Sequence, residues 1–251
     1  MSTNDLAGRT AAVSGGASGI GRAVCLHLAR AGADVAVLDV NVAGAETVAG
    51  EVRALGRRAV AAASDVARLE SVEAAAGTVR SALGAVHILV NSHGISGFGT
   101  LPGMSEADWS RMLDVHLTGT FRACKVFVGD MLAAAWGRIV NVSSVGGLRG
   151  GPMLIHYAAA KAGVIGFTKA LAVDLGPKGI TVNAIAPGLV ETPMLAASGL
   201  PDAVRNATIA SMPIRRLGTP DDIAAACMFL VSNDAGWFTG QVLSPNGGGH
   251  L

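Results

Sequence analysis

The stretch Ser14-Gly15-Gly16-Ala17-Ser18-Gly19-Ile20-Gly21 joins an apolar run, Thr10 to Ser14, to a helical pattern over residues 19 to 31. Glycine at 15, 19 and 21 lets the backbone turn tightly and brings amide groups up to the helix N-terminus, whose positive field suits a pyrophosphate. A glycine-rich turn alone is weak evidence. Set between a strand and a helix, it meets the context that a dinucleotide-binding unit requires.

Outward from this turn the chain alternates short apolar runs with helical stretches. The runs are Thr10 to Ser14, Asp34 to Leu38, Ala59 to Ala63, His87 to Asn91, Arg138 to Val142, Thr181 to Ile185 and Gln241 to Leu243. Helical patterns lie near 19 to 31, 42 to 55, 68 to 83, 105 to 135, 153 to 175 and 220 to 232. The alternation predicts an α/β fold, a Rossmann-type doubly wound parallel sheet of about seven strands with helices on both faces. The 251 residues are expected to form a single domain, 1–251. Hydrophobic residues make up 51% and charged residues 15%, which suits a sheet covered on both sides and a buried subunit interface.

A net charge of +1 gives no electrostatic case for nucleic acid or a membrane surface. Met1-Ser2-Thr3-Asn4-Asp5 lacks a basic segment followed by an apolar run, and no later stretch is apolar enough to span a bilayer, so a cytoplasmic location is expected. Cys25, Cys124 and Cys227 are widely spaced and odd in number, and the histidines form no cluster; no metal site is expected.

The second strand ends at Asp39, where a carboxylate can accept hydrogen bonds from both hydroxyls of an adenosine ribose and repel a 2′-phosphate. No Lys or Arg occurs in the glycine turn or at Val40-Asn41, so NAD is favoured over NADP. Further on, Tyr157 and Lys161 are four residues apart on a helix that can begin after Pro152, so their side chains share a face. A cation beside a phenol lowers its pKa from about 10 and readies it for general acid–base work. Ser144, after the run Arg138 to Ser143, is placed to orient a substrate oxygen. Tyr157 is the only tyrosine of the chain, and small residues surround it.

These motifs, in this order, resemble the short-chain dehydrogenase/reductase family over nearly the whole chain, most closely its 3-oxoacyl reductase-like branch. Ser14, Gly15, Ser18, Gly19, Ile20 and Gly21 fall on the family's glycine motif, Ser14 standing where threonine is usual. The resemblance implies that Asp65 and Val66 meet the adenine, that Asn91 ends the fourth strand, and that Pro187, Gly188, Val190 and Thr192 close over the nicotinamide. It also implies that Ser144, Tyr157 and Lys161 are catalytic, with Lys161 lowering the Tyr157 pKa and binding the nicotinamide ribose. Hydride then passes between NAD(H) and a secondary alcohol or ketone, or a 3-hydroxyacyl or 3-oxoacyl thioester. A steroid or polyol dehydrogenase, or a non-catalytic NAD-binding regulator, are the alternatives.

Two positions depart from the family. His116 stands in Asp114 to Gly119 where asparagine is usual, and His93 replaces an alanine in Asn91-Ser92-His93-Gly94. A neutral imidazole carries one donor and one acceptor, so His116 is taken as a fourth catalytic residue, with a titration near its ordinary pKa of about 6.5 expected in the activity. Residues 189–212 resemble a substrate lid, whose Met194, Leu195, Leu200, Ile209 and Met212 imply a small-molecule substrate with an apolar portion. Arg149 and Arg205 are candidates to meet an anionic group. Ala134-Ala135-Trp136-Gly137 carries no charge where carrier-protein reductases are usually basic. The helices at 105 to 135 and 153 to 175, with Gly236 to Gly249, resemble the interfaces of a homotetramer.

Overall fold

The computed structural model describes residues 5–250; Met1 to Asn4 of the N-terminal segment, and Leu251, lie outside the described residues. Seven strands, β1 (Thr10–Ser14), β2 (Asp34–Asp39), β3 (Ala59–Ala63), β4 (Ile88–Asn91), β5 (Gly137–Val142), β6 (Ile180–Ile185) and β7 (Val242–Leu243), form one parallel sheet in the order 3-2-1-4-5-6-7. Successive side chains point to opposite faces, and here both sets are apolar. Val13, Val35, Val37, Ile88 and Val90 pack against α1 (Gly19–Arg30), α2 (Val42–Ala54) and α10 (Pro220–Val231). Ala12, Ala36, Leu38, Leu89 and Ile139 pack against α3 (Leu69–Leu83), α5 (Gly119–Ala134) and α7 (Ile155–Leu175). The doubly wound α/β fold expected from the alternation is the one observed.

The strand order reverses at β1, which pairs with β2 on one side and β4 on the other, Ser14 facing Asn91 across the latter pair. Crossovers leave in opposite directions there, and a crevice opens beyond the carboxyl ends of the two strands. A buried polar chain fixes these ends. The Ser14 hydroxyl donates to Asn91 Oδ1 at 3.3 Å, Asn91 Nδ2 to Asn141 Oδ1 at 2.9 Å, and Asn141 Nδ2 to Thr168 Oγ1 at 2.9 Å. It runs from β1 through β4 and β5 into α7.

The helices differ from expectation in three places. The pattern at 105 to 135 is not one helix: α4 (Glu106–Leu113) and α5 are joined through a π-helical turn, Asp114–Thr118. A short helix, α6 (Val145–Arg149), lies between β5 and α7, started by Ser144, whose Oγ accepts from Gly146 N at 3.0 Å. The segment 189–212, read as a substrate lid with no helical pattern assigned to it, contains α8 (Pro193–Ala197) and α9 (Asp202–Ser211). Thr192 caps α8 by accepting from Leu195 N, and Pro193 supplies the fixed φ of a first helical residue.

At the far edge of the sheet Asp34 is buried, and its carboxylate accepts from Arg57 Nη2 at 2.9 Å, Arg58 Nε at 2.8 Å and the Arg58 backbone N at 3.0 Å. It ties the start of β2 to the entry of β3. Asp34→Asn keeps the size but withdraws the charge and one acceptor oxygen, and is expected to lower the free energy of unfolding in urea by about 1–3 kcal/mol. An unchanged urea midpoint would show that the two arginines contribute nothing at this edge.

Candidate active site

The turn after β1 is shaped by close approach. A Cβ on Gly21 would lie 2.0 Å from Gly15 O, and one on Gly15, whose φ is +69°, would meet His93 N at 2.7 Å. Gly19, at φ +51°, sits beside Thr192, 3.3 Å from its Cγ2 on the same test. Ser18 precedes α1 but its side chain makes no capping bond, so the first-turn amides that include Ile20 and Gly21 are left for another acceptor. Asp39 closes the turn from the β2 side, Oδ2 accepting from Ala17 N at 3.0 Å and Oδ1 from Asn41 N at 2.9 Å. The nearby cation on α1, Arg22, is engaged with Glu51 at 2.8 Å. Asp65 Oδ1 accepts from Ala67 N, and Val66 packs where any side chain on Gly119 would intrude. Uncapped amide donors on a helix start and a carboxylate acceptor one strand away fit a dinucleotide.

Beyond β5 the structure brings Ser144, Tyr157 and Lys161 together. Gly146 lies between the first two: a Cβ there would be 3.4 Å from both Ser144 Oγ and Tyr157 Cε1. On Gly147 it would strike the Lys161 carbonyl carbon at 2.7 Å, so α6 sits directly on α7. Lys161 Nζ is 5.9 Å from the Tyr157 ring centroid and donates to Val142 O at 2.7 Å. Its burial lowers its pKa to about 7. Burial also raises the Tyr157 phenol above its ordinary value, the Ser144 hydroxyl acting in the opposite direction. This corrects the expectation that Lys161 draws the phenol down. The ammonium is bonded to a strand carbonyl, and desolvation dominates both groups.

The two unusual histidines lie behind this trio. His116, in the π turn, is buried; its Nε2 stands 2.9 Å from Ile95 O and 3.2 Å from Ile95 N, while Nδ1 is buried without a partner among the described residues. Its ring meets that of Tyr157 edge-on, the centroids 5.3 Å apart and the planes at 85°. The His116 carbonyl accepts from Thr120 Oγ1 at 2.7 Å. His93 bridges the two halves of the site, with Nδ1 2.6 Å from Ser14 Oγ and Nε2 3.5 Å from Thr120 Oγ1. Burial, with the Lys161 charge second, pushes His116 well below its ordinary pKa and His93 down to about 3. Both are neutral at working pH. The expected titration of His116 near 6.5 is thereby corrected.

Pro187 O accepts from Val145 N at 3.0 Å, and Gly188 presses against Asn246, whose Cα would be 2.9 Å from a Cβ there. Val190 is buried and bridges to Gly218, leaving Thr192 beside the glycine turn. Three polar residues escaped the sequence reading: Asn141, Thr168 and Thr120. A lone asparagine inside the apolar β5, and a threonine two helical turns beyond Lys161, were the available signals. Arg205 is not free for an anion, since it pairs with Glu191 at 3.1 Å. Nor is the end of α5 without charge in space: the guanidinium groups of Arg9 and Arg138 lie 3.9 Å and 4.4 Å from the Trp136 ring centroid.

The family model described as enoyl-(acyl carrier protein) reductase matches residues 15–250. The chain is 39% identical over 244 residues to a 3-oxoacyl-[acyl-carrier-protein] reductase of Chlamydia muridarum, covering 97% of this chain and 98% of that protein. It is 40% identical over 243 residues to a (2S)-[(R)-hydroxy(phenyl)methyl]succinyl-CoA dehydrogenase subunit of Thauera aromatica, covering 97% of each. A crystal structure of 3-oxoacyl-[acyl-carrier protein] reductase from Brucella melitensis superposes with a TM-score of 0.90 at 37% identity, covering 97% of this chain and 92% of that one. Matched over nearly its whole length by the family model and by these relatives, the chain belongs to the short-chain dehydrogenase/reductase family of oxidoreductases.

Proposed function

We propose that this protein is an NAD(H)-dependent oxidoreductase that transfers hydride between nicotinamide and a secondary alcohol or ketone, 3-hydroxyacyl and 3-oxoacyl thioesters included. The observation that carries this reading is the convergence of Ser144, Tyr157 and Lys161 where α6 sits on α7, at the end of β5. Acyl thioesters enter because the relatives' names specify an acyl-carrier-protein substrate in one case and a CoA ester in the other.

When bound, the nicotinamide supplies the hydride donor and acceptor. The glycine-turn amides hold the pyrophosphate, Asp39 the adenosine ribose, and Asp65 and Val66 the adenine; Asn91 with Pro187, Gly188, Val190 and Thr192 frames the nicotinamide end. Ser144 Oγ orients the substrate oxygen, and Tyr157 gives or takes its proton. Lys161 lies beneath the phenol and binds the second ribose. His116 serves as a neutral support for Tyr157, its ring against the phenol edge. Residues 189–212 act as a lid on a single domain, and the substrate carries an apolar portion.

Among the described residues no helix is long and apolar enough to cross a membrane, and we place the enzyme in the cytoplasm. A homotetramer accounts for Phe121 on α5, Val173 on α7 and Trp237 beyond α10, which are exposed to 45%, 75% and 97%.

NAD(H) is expected to bind about tenfold or more tightly than NADP(H) in fluorescence titrations, because the Asp39 carboxylate repels a 2′-phosphate. Asp39→Ser should narrow that ratio; tighter NADP(H) binding by the unmodified protein would reverse the cofactor assignment. Tyr157→Phe should reduce kcat on the order of 100-fold or more with NADH affinity retained. His116→Asn should give a pH–rate profile between pH 5.5 and 8 superimposable on that of the wild type, since the imidazole stays neutral across that range. An inflection lost in the variant would restore His116 as a titrating group. Light scattering at micromolar concentration should report four chains; a monomer alone would remove the tetramer.

A further inference from the structure

A cavity of about 250 Å³ lies between the segment after β4, the helix α4 and the first residues of α7, and the reaction described above leaves it unused. His156 forms part of its wall. The imidazole is buried, at 4% exposure, and its Nδ1 accepts the Tyr157 backbone N–H at 3.0 Å. An Nδ1 that accepts is unprotonated, so the proton of the neutral ring is on Nε2. Nε2 has no hydrogen-bond partner among the described residues. It lies beside Gly97, another wall residue, where a Cβ would stand 3.2 Å from it and 2.9 Å from Met112 Cε. The glycine therefore leaves room for a ligand atom in front of this donor.

The surroundings define that atom. Ile95, Phe98, Met104 and Met112 give apolar walls. The charged lining residues are Asp108 and Arg111, opposite in sign, and Asp108 already accepts from Ser105 Oγ at 2.6 Å. A site with one neutral donor and no net charge suits an uncharged carbonyl oxygen better than a carboxylate. The wall is held in place: Gly99 N donates to Met153 O at 2.8 Å and Gly99 bridges to Leu154, while Met153 adopts the left-handed region at φ +60°, a strained conformation for a side chain of its size. Two of the wall residues are neighbours of groups at the reacting centre. His156 precedes Tyr157 in the chain, and the backbone of the wall residue Ile95 is clasped by His116, whose ring abuts the phenol.

We propose that this cavity is a specificity subsite in which His156 Nε2–H donates to a second, uncharged carbonyl oxygen of the substrate, an ester or thioester carbonyl a few atoms from the carbon that exchanges hydride. The apolar walls take the flanking chain. This rests on the reading of the protein as an oxidoreductase of alcohols and ketones, and it favours an oxo-ester or oxo-thioester over a plain ketone of equal length.

The test compares ethyl 3-oxohexanoate with 4-nonanone, which has the same chain length and ketone position but no second carbonyl. Both are titrated by ligand-observed NMR into the full chain with saturating NAD+, which cannot reduce them. The wild type should bind the oxo-ester about tenfold more tightly. His156→Asn, which keeps an acceptor near the Nδ1 position but withdraws the outer donor, should bring the two affinities together; His156→Gln, whose amide nitrogen reaches the Nε2 position, should restore most of the gap. Equal affinities in the wild type, or a gap undiminished in His156→Asn, would overturn the subsite. NADH oxidation by both compounds is followed in parallel. Oxidation without an affinity gap removes the subsite alone, whereas a gap without any oxidation supports the subsite and removes the catalytic reading.

Discussion

A buried polar atom must find a partner, and the hydrogen-bond chain from Ser14 through Asn91 and Asn141 to Thr168 is where that requirement organises the molecule. Each member is at most 2% exposed, so a slip of one residue in β1, β4 or β5 would strand donors and acceptors without water. The apolar faces alone tolerate small errors of register. The polar chain does not, and because it ends on α7 it sets the height of Tyr157 and Lys161 relative to the glycine turn.

Lys161 then constrains what surrounds it. It is buried, its pKa is lowered to about 7, and it bonds to the Val142 carbonyl with no carboxylate in contact among the described residues. A further positive charge nearby would be strongly disfavoured in so poorly solvated a place. His93 and His116 meet this condition by remaining neutral, as the usual alanine and asparagine of the family are neutral at any pH. Two histidines near an active site suggest acid–base chemistry from sequence alone. Their burial beside a cation makes them fixed hydrogen-bonding shapes instead.

What was legible in the sequence follows from local physics. Doubly buried strands read as apolar runs, and Gly15 and Gly19 sit at positive φ where side chains are strained, so both the sheet and the turn were visible. The spacing of Tyr157 and Lys161 gave their shared face. The direction of the Tyr157 pKa was not legible, because it depends on how deeply α7 is covered and on where Nζ finds its acceptor. The helices α8 and α9 were passed over for their brevity, although Thr192-Pro193 carried a start signal. Asn141 and Thr168 were hidden because their partner lies on a distant strand. Trp136 shows the same limit: its immediate neighbours in sequence are uncharged, yet the guanidinium groups of Arg9 and Arg138 lie over its ring.

The π turn at Asp114–Thr118 has a geometric effect beyond the bend it introduces. Such a turn holds one residue more than the regular helix, and each residue advances the helix by about 100°. The inward face of α5 is fixed on the sheet by Phe127 and Met131, so the surplus residue determines the bearing of everything upstream, including Met112 in the cavity wall. Removing one residue between 114 and 118 would leave α5 seated and swing α4 around its own axis, carrying Met112 off the wall. The cross-section of the pocket beside His156 thus depends on the residue count of a helix as well as on the side chains that line it.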